Sequence, residues 1–117
     1  MSGKTLEMTM LFDFYGELLT VKQREYFDLY YNDDLSLGEI AEIDGITRQG
    51  VRDILRRAEN ILLETERKTG LIERFEINLR TVSEIEACVG KISSRSSDPV
   101  IEELVGEICK NLEILRQ

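Results

Sequence analysis

Four arginines crowd into eleven residues of an otherwise acidic chain: Arg48, Arg52, Arg56 and Arg57, with Asp53 the one acid among residues 47–57. Over all 117 residues, 23 acids face 15 lysines and arginines, for a formal net charge of −8. A guanidinium stays ionised and holds its donors in a rigid fork, so a run of them is chemistry for an anion, above all a phosphodiester. Arg also suits guanine, and the Gln49 amide suits adenine, through paired hydrogen bonds in a major groove. Thr47 adds a hydroxyl donor for a phosphate at a helix N-terminus, which is itself electropositive. The competing reading is a solvated helix face with i,i+4 pairs such as Asp53–Arg57.

Other chemistries find little support. Asp33-Asp34 and Glu102-Glu103 are adjacent carboxylates, but helix neighbours point about 100° apart and do not pair for acid–base work. The chain has no histidine, no phosphate-binding loop and no nucleophile motif, so an enzyme is not expected. Cys88 and Cys109 are too far apart for a C-x-x-C site and have no histidine to complete a zinc set. They read as buried, reduced thiols on apolar helical faces. No cofactor is expected. Apolar runs stay short of the ~20 residues of a membrane span. Glu7 and Asp13 break any signal-peptide pattern near the start. The expectation is a cytoplasmic protein with no membrane partner.

The arginines need a framework, and the pattern around them supplies one. Leu6, Met10, Phe14 and Leu18 recur at i,i+4 and predict an N-terminal helix over residues 5–19 with that stripe as its apolar face. Thr20 with Gln23, and Ser36 with Glu39, have capping-box spacing. The first opens a helix reaching Tyr31, with Tyr26, Phe27, Tyr30 and Tyr31 as an aromatic face; the second opens a short helix to Ile43. Asp44-Gly45 signals a turn, and Thr47 is an N-cap for a helix reaching Lys68. Two helices crossing steeply through a short turn make three steric demands. Ala41 is small where they approach, Gly45 tolerates a positive φ, and Val51 anchors the second helix from behind. Ile40, Ile46, Ile54 and Leu55 fill the remaining core positions.

This arrangement resembles region 4 of sigma factors. The likeness rests on Leu19-Thr20-Val21-Lys22-Gln23-Arg24-Glu25, Leu35-Ser36-Leu37-Gly38-Glu39-Ile40-Ala41-Glu42 and the run from Gly45 to Ala58. It covers about residues 18–66, with nothing before it that would serve as a polymerase-binding region, so a whole sigma factor is not expected. With Phe12-Asp13-Phe14-Tyr15 ahead and two further helices behind, nearly the whole chain resembles the YlxM-like family of small bacterial proteins. The resemblance implies DNA binding with Thr47, Arg48, Gln49, Arg52 and Arg56 as recognition-helix positions. It also implies a link to the signal recognition particle pathway, whose GTPase gene neighbours those of the family.

Beyond the module, Ile72, Phe75, Leu79, Val82, Ile85, Val89 and Ile92 keep a three-or-four spacing. Asp98-Pro99 reads as an N-cap followed by a first-turn proline, opening a last helix with Ile101, Leu104, Val105, Ile108, Leu112 and Leu115. With no strand signal the fold class is all-α. The expected division is residues 1–68, an N-terminal helix plus helix-turn-helix, and residues 69–117, a helical extension that packs on it, mediates dimerisation, or both. A homodimer would place two recognition helices about one DNA turn apart. DNA is the favoured partner. The alternative is the RNA or GTPase of the signal recognition particle, which the acidic total favours.

Overall fold

The computed structural model describes residues 3–117, and among them every regular element is helical. Two compact units meet in sequence at Gly70 and Leu71. The first holds α1 (Gly3–Tyr15), a 3-10 turn (Gly16–Leu18), α2 (Val21–Phe27) with a π turn (Asp28–Asn32), α3 (Leu37–Asp44) and α4 (Arg48–Thr69). The second holds α5 (Leu71–Ser94) and α6 (Pro99–Arg116). No helix of the described residues is long and apolar enough to cross a membrane.

Local chemistry sets where the helices begin. The Thr20 hydroxyl accepts the Gln23 N–H at 3.1 Å while the Gln23 side chain accepts the Thr20 N–H at 2.9 Å. Ser36 and Glu39 repeat this exchange at 3.1 and 3.0 Å. Each box satisfies two backbone donors that a helix start leaves unpaired. The bonds from Ser36 also hold the Glu39 carboxyl below the usual carboxylate range. Asp98 caps α6 by accepting the Val100 N–H at 2.8 Å, with Pro99 in the first turn.

The core of the first unit is aromatic where α1 meets α2. Phe27 is fully buried, stacked on Phe12 at 4.7 Å between ring centroids and tilted against Tyr31 at 4.4 Å. Ile40, Val51 and Leu62 are also sealed. The face α1 buries is not the stripe its i,i+4 spacing predicts. Met8, Leu11, Tyr15 and Leu19 are inside, while Leu6, Phe14 and Leu18 are exposed. This segment is apolar almost all round, so spacing alone offers two faces, and the aromatic partners on α2 and the inner face of α4 decide between them.

Tyrosine hydroxyls bind the early helices to the later ones. The Tyr15 hydroxyl donates to Glu66 at 2.5 Å, so its contact with Thr69 at 2.8 Å is one in which Thr69 donates. Tyr26 donates to Asp44 at 2.5 Å, and Tyr31 donates to Glu59. Burial, then the Glu59 contact, pushes the Tyr31 phenol well above its ordinary range.

In the second unit α5 and α6 form an antiparallel hairpin. The Ser93 hydroxyl meets Glu102 at 3.1 Å near the connection, and Arg116, the last residue of α6, pairs with Glu86 of α5. Val82, Val89 and Leu112 are buried, but Ile85, Ile92, Leu104, Ile108 and Leu115 of the expected apolar stripes are exposed. The cysteines correct a second expectation: both are free thiols and both are exposed. Cys88 precedes the inward-facing Val89, and one helical step turns a side chain about 100° away from the partner helix.

Candidate nucleic-acid interface

The turn between α3 and α4 is three residues long and rests on one backbone conformation. Gly45 sits at φ 66°, ψ 33°, and the Ile46 N–H returns to the Ala41 carbonyl at 3.1 Å. Ala41 is buried at the crossing. A Cβ at position 45 would meet nothing within 4 Å, so the obstacle to a side chain there is the positive φ and not space. Gly45→Ala is therefore expected to lower stability by about 1–2 kcal/mol, with Gly45→Asn costing less, as read from denaturant midpoints at constant m. Ile46 departs from its expected core role. It is 39 % exposed, because the turn carries it past the crossing before α4 begins.

Thr47 caps α4, its hydroxyl oxygen accepting the Gly50 N–H at 3.0 Å. Accepting leaves the hydroxyl hydrogen available to donate outward. Behind the helix Val51, Leu55, Ala58 and Leu62 are buried, with Ile54 half-buried. This ridge fixes the rotation of the rod, and with it the direction of the charged face.

Gln49, Arg52 and Arg56 share the outward arc and are exposed. Arg57, also exposed, lies about 100° further round from Arg56, on the other flank. Arg48 turns back toward α3, so close that a Cβ at position 38 would stand 3.0 Å from its Nε. Gly38 is what allows that approach, and the sequence reading passed over it. The Asp53–Arg57 pair of the competing reading does not form: Asp53 instead accepts from the Gln49 amide at 3.0 Å. Arg48, Arg52, Arg56 and Arg57 make no ion pair or side-chain hydrogen bond with the described residues, although the chain carries 23 acids.

The surroundings help to keep this face basic. Asp44, next to the turn, is engaged by Tyr26 and by Lys22 at 2.9 Å, and the two hold its carboxyl below the usual range. A shallow groove lined by Tyr30, Leu37, Arg52, Leu55, Arg56 and Glu59 runs beside the two central arginines. Tyr30, a member of the expected aromatic face, is half-buried within the π turn and forms one wall of this groove. Among the described residues no cluster of three His, Cys, Asp or Glu side chains could hold a metal ion.

A profile described as "UPF0122: Putative helix-turn-helix protein, YlxM / p13 like" matches residues 2–98. The UPF0122 protein of Thermoanaerobacter sp. (strain X514) is 45 % identical over 115 residues, 98 % of each chain. That of Caldanaerobacter subterraneus subsp. tengcongensis is 49 % identical over 89 residues, 76 % of each chain. A Bacillus cereus (strain AH187) relative is 47 % identical over 91 residues, covering 78 % of this chain and 83 % of its own. The profile describes helix-turn-helix proteins and not an enzyme family.

Proposed function

The chain belongs to the UPF0122, YlxM / p13-like family of helix-turn-helix proteins, and within it we propose that this member is a regulator that binds duplex DNA through α4. The observation that carries this reading is the unpaired state of Arg48, Arg52, Arg56 and Arg57 on a helix locked from behind by Val51 and Leu55. Guanidinium groups in a chain of net charge −8 have acids to pair with, yet Arg52, Arg56 and Arg57 face solvent and Arg48, also exposed, lies over Gly38 without an ionic partner. Arg52, Arg56 and Gln49 would face the groove. Thr47 and the start of α4 would take a phosphate, and Arg57 a neighbouring one. Such a role belongs in the bacterial cytoplasm.

Binding of this kind releases counterions, so affinity for a random duplex is expected to fall with salt at a log–log slope of roughly −3 to −4 per protomer for four arginines. Fluorescence anisotropy across a potassium chloride series measures it. A flat slope, or no binding at low ionic strength, would overturn the reading. The acidic total is the observation that favours the second reading, an accessory factor on the RNA or GTPase of the signal recognition particle. The same titration run with that RNA, and a pull-down with that GTPase, separate the two.

A further inference from the structure

We propose that the groove beside α4 receives one unpaired base of a DNA strand, stacked on Tyr30, while Arg52 and Arg56 hold the phosphates next to it; this rests on the DNA-binding reading of α4. Three elements build the groove. Tyr30 comes from the π turn after α2, Leu37 from the first turn of α3, and Arg52, Leu55, Arg56 and Glu59 from α4. Its two ends differ in chemistry. Arg52 and Arg56 stand four residues apart, so they share one side of α4, and like charges at that spacing repel. Neither has an ionic partner among the described residues. Glu59, three residues beyond Arg56, is engaged by the Tyr31 hydroxyl instead. Its carboxylate would repel a phosphate, so an anion belongs at the arginine end alone.

The other end presents the Tyr30 ring, the Leu37 side chain and the Glu59 carboxylate, which can accept beyond its bond from Tyr31. A flat ring with an N–H on its edge suits all three, and a phosphate suits none. An aromatic wall beside a basic rail is how proteins hold unpaired bases, because every base offers a face for stacking. The platform is already set: Tyr30 is half-buried and packs edge-to-face with Tyr31 at 5.0 Å between centroids, so little freedom is lost when a base arrives. Size favours a strand over a free nucleotide. The groove is shallow and holds about 260 Å³, short of the roughly 300–1,000 Å³ of clefts that enclose a small ligand. A strand needs no enclosure, since its own phosphates carry most of the affinity.

The test is fluorescence anisotropy of the full chain with one duplex in three forms: fully paired, with a short single-stranded oligothymidine tail, and with that tail stripped of its bases as abasic sites. The two tails carry the same charge, so their difference reads the base alone, and a base already unpaired costs little to capture. Wild type should bind the thymidine tail at least about fivefold more tightly than the abasic one, the low end of what stacking one base contributes. Tyr30→Leu should lose that preference and keep its affinity for the paired duplex, while Tyr30→Phe, which keeps the ring, should retain it. Thymidine monophosphate at millimolar concentration should not displace the tailed duplex. Equal affinity for the two tails, a preference that survives Tyr30→Leu, or displacement by the free nucleotide would overturn the inference. The comparison of tails uses wild type and holds even where Tyr30→Leu fails to fold. The paired duplex reports on α4 separately: binding there without a gain from the thymidine tail removes this inference alone, and no binding there removes the reading beneath it.

Discussion

Phe27→Ala is expected to remove about 3–5 kcal/mol from the stability of the first unit, the range for deleting a fully buried aromatic side chain. Phe27 is fully buried, and its ring is the shared neighbour of Phe12 on α1 and Tyr31 after α2. Truncation leaves a void with a rigid wall on each side, since Tyr31 is itself tied to Glu59. Neither wall can collapse inward without breaking a packed or hydrogen-bonded contact, so relaxation should recover little. Domains of this size are stable by only about 5–15 kcal/mol, so the variant should sit near the edge of folding. Urea unfolding followed by near-ultraviolet circular dichroism reads the result. A loss below about 1 kcal/mol would mean that the aromatic stack is not the centre of the core.

The second large effect is on binding and should leave stability alone. Arg52→Ala with Arg56→Ala removes two exposed, unpaired side chains, a kind of change that moves folding by no more than about 0.5 kcal/mol. Each specific guanidinium contact to a base contributes about 1–3 kcal/mol. Loss of both should therefore weaken DNA binding by at least about 30-fold at fixed salt, the equivalent of about 2 kcal/mol. Contacts to phosphate instead of bases would show as a salt slope shallower by about two, with little change in sequence preference. Arg57→Ala, on the other flank, should weaken binding less. Equal affinity of the double variant and wild type would remove α4 as the binding element.

These two sites differ in how far the sequence exposes them. Helix starts were open to reading because a cap is settled within four residues. Thr20 with Gln23, Ser36 with Glu39, Thr47, and Asp98 with Pro99 all act where their spacing puts them. The turn at Gly45 was legible for the same reason, since a left-handed φ between two helices selects glycine. What failed depended on partners far along the chain. Leu6, Phe14 and Leu18 form as good a stripe as Met8, Leu11 and Tyr15, and only the elements packed against α1 choose between them. Tyr15 reaches Glu66 across 51 positions and Tyr31 reaches Glu59 across 28, distances over which no periodicity speaks. At the arginine face, the exposure of Arg52 and Arg56 followed from Val51 and Leu55 as the inward ridge. The return of Arg48 over Gly38 did not, because it belongs to a contact between two helices and not to either one.

The phenol-to-carboxylate contacts give the scaffold and its charged face different sensitivities. Tyr31 keeps its proton more firmly folded than unfolded, so its contribution is whole at neutral pH and fades only in alkali, as pH climbs past the ordinary tyrosine value of about 10. Ionic strength, in contrast, screens the solvent-facing guanidinium groups within about a nanometre at 0.1 M. A cell that shifts its potassium level would thus loosen the grip on an anionic ligand while leaving the tyrosine-pinned frame intact. Release would need no unfolding, and re-engagement would start from a helix already held in place.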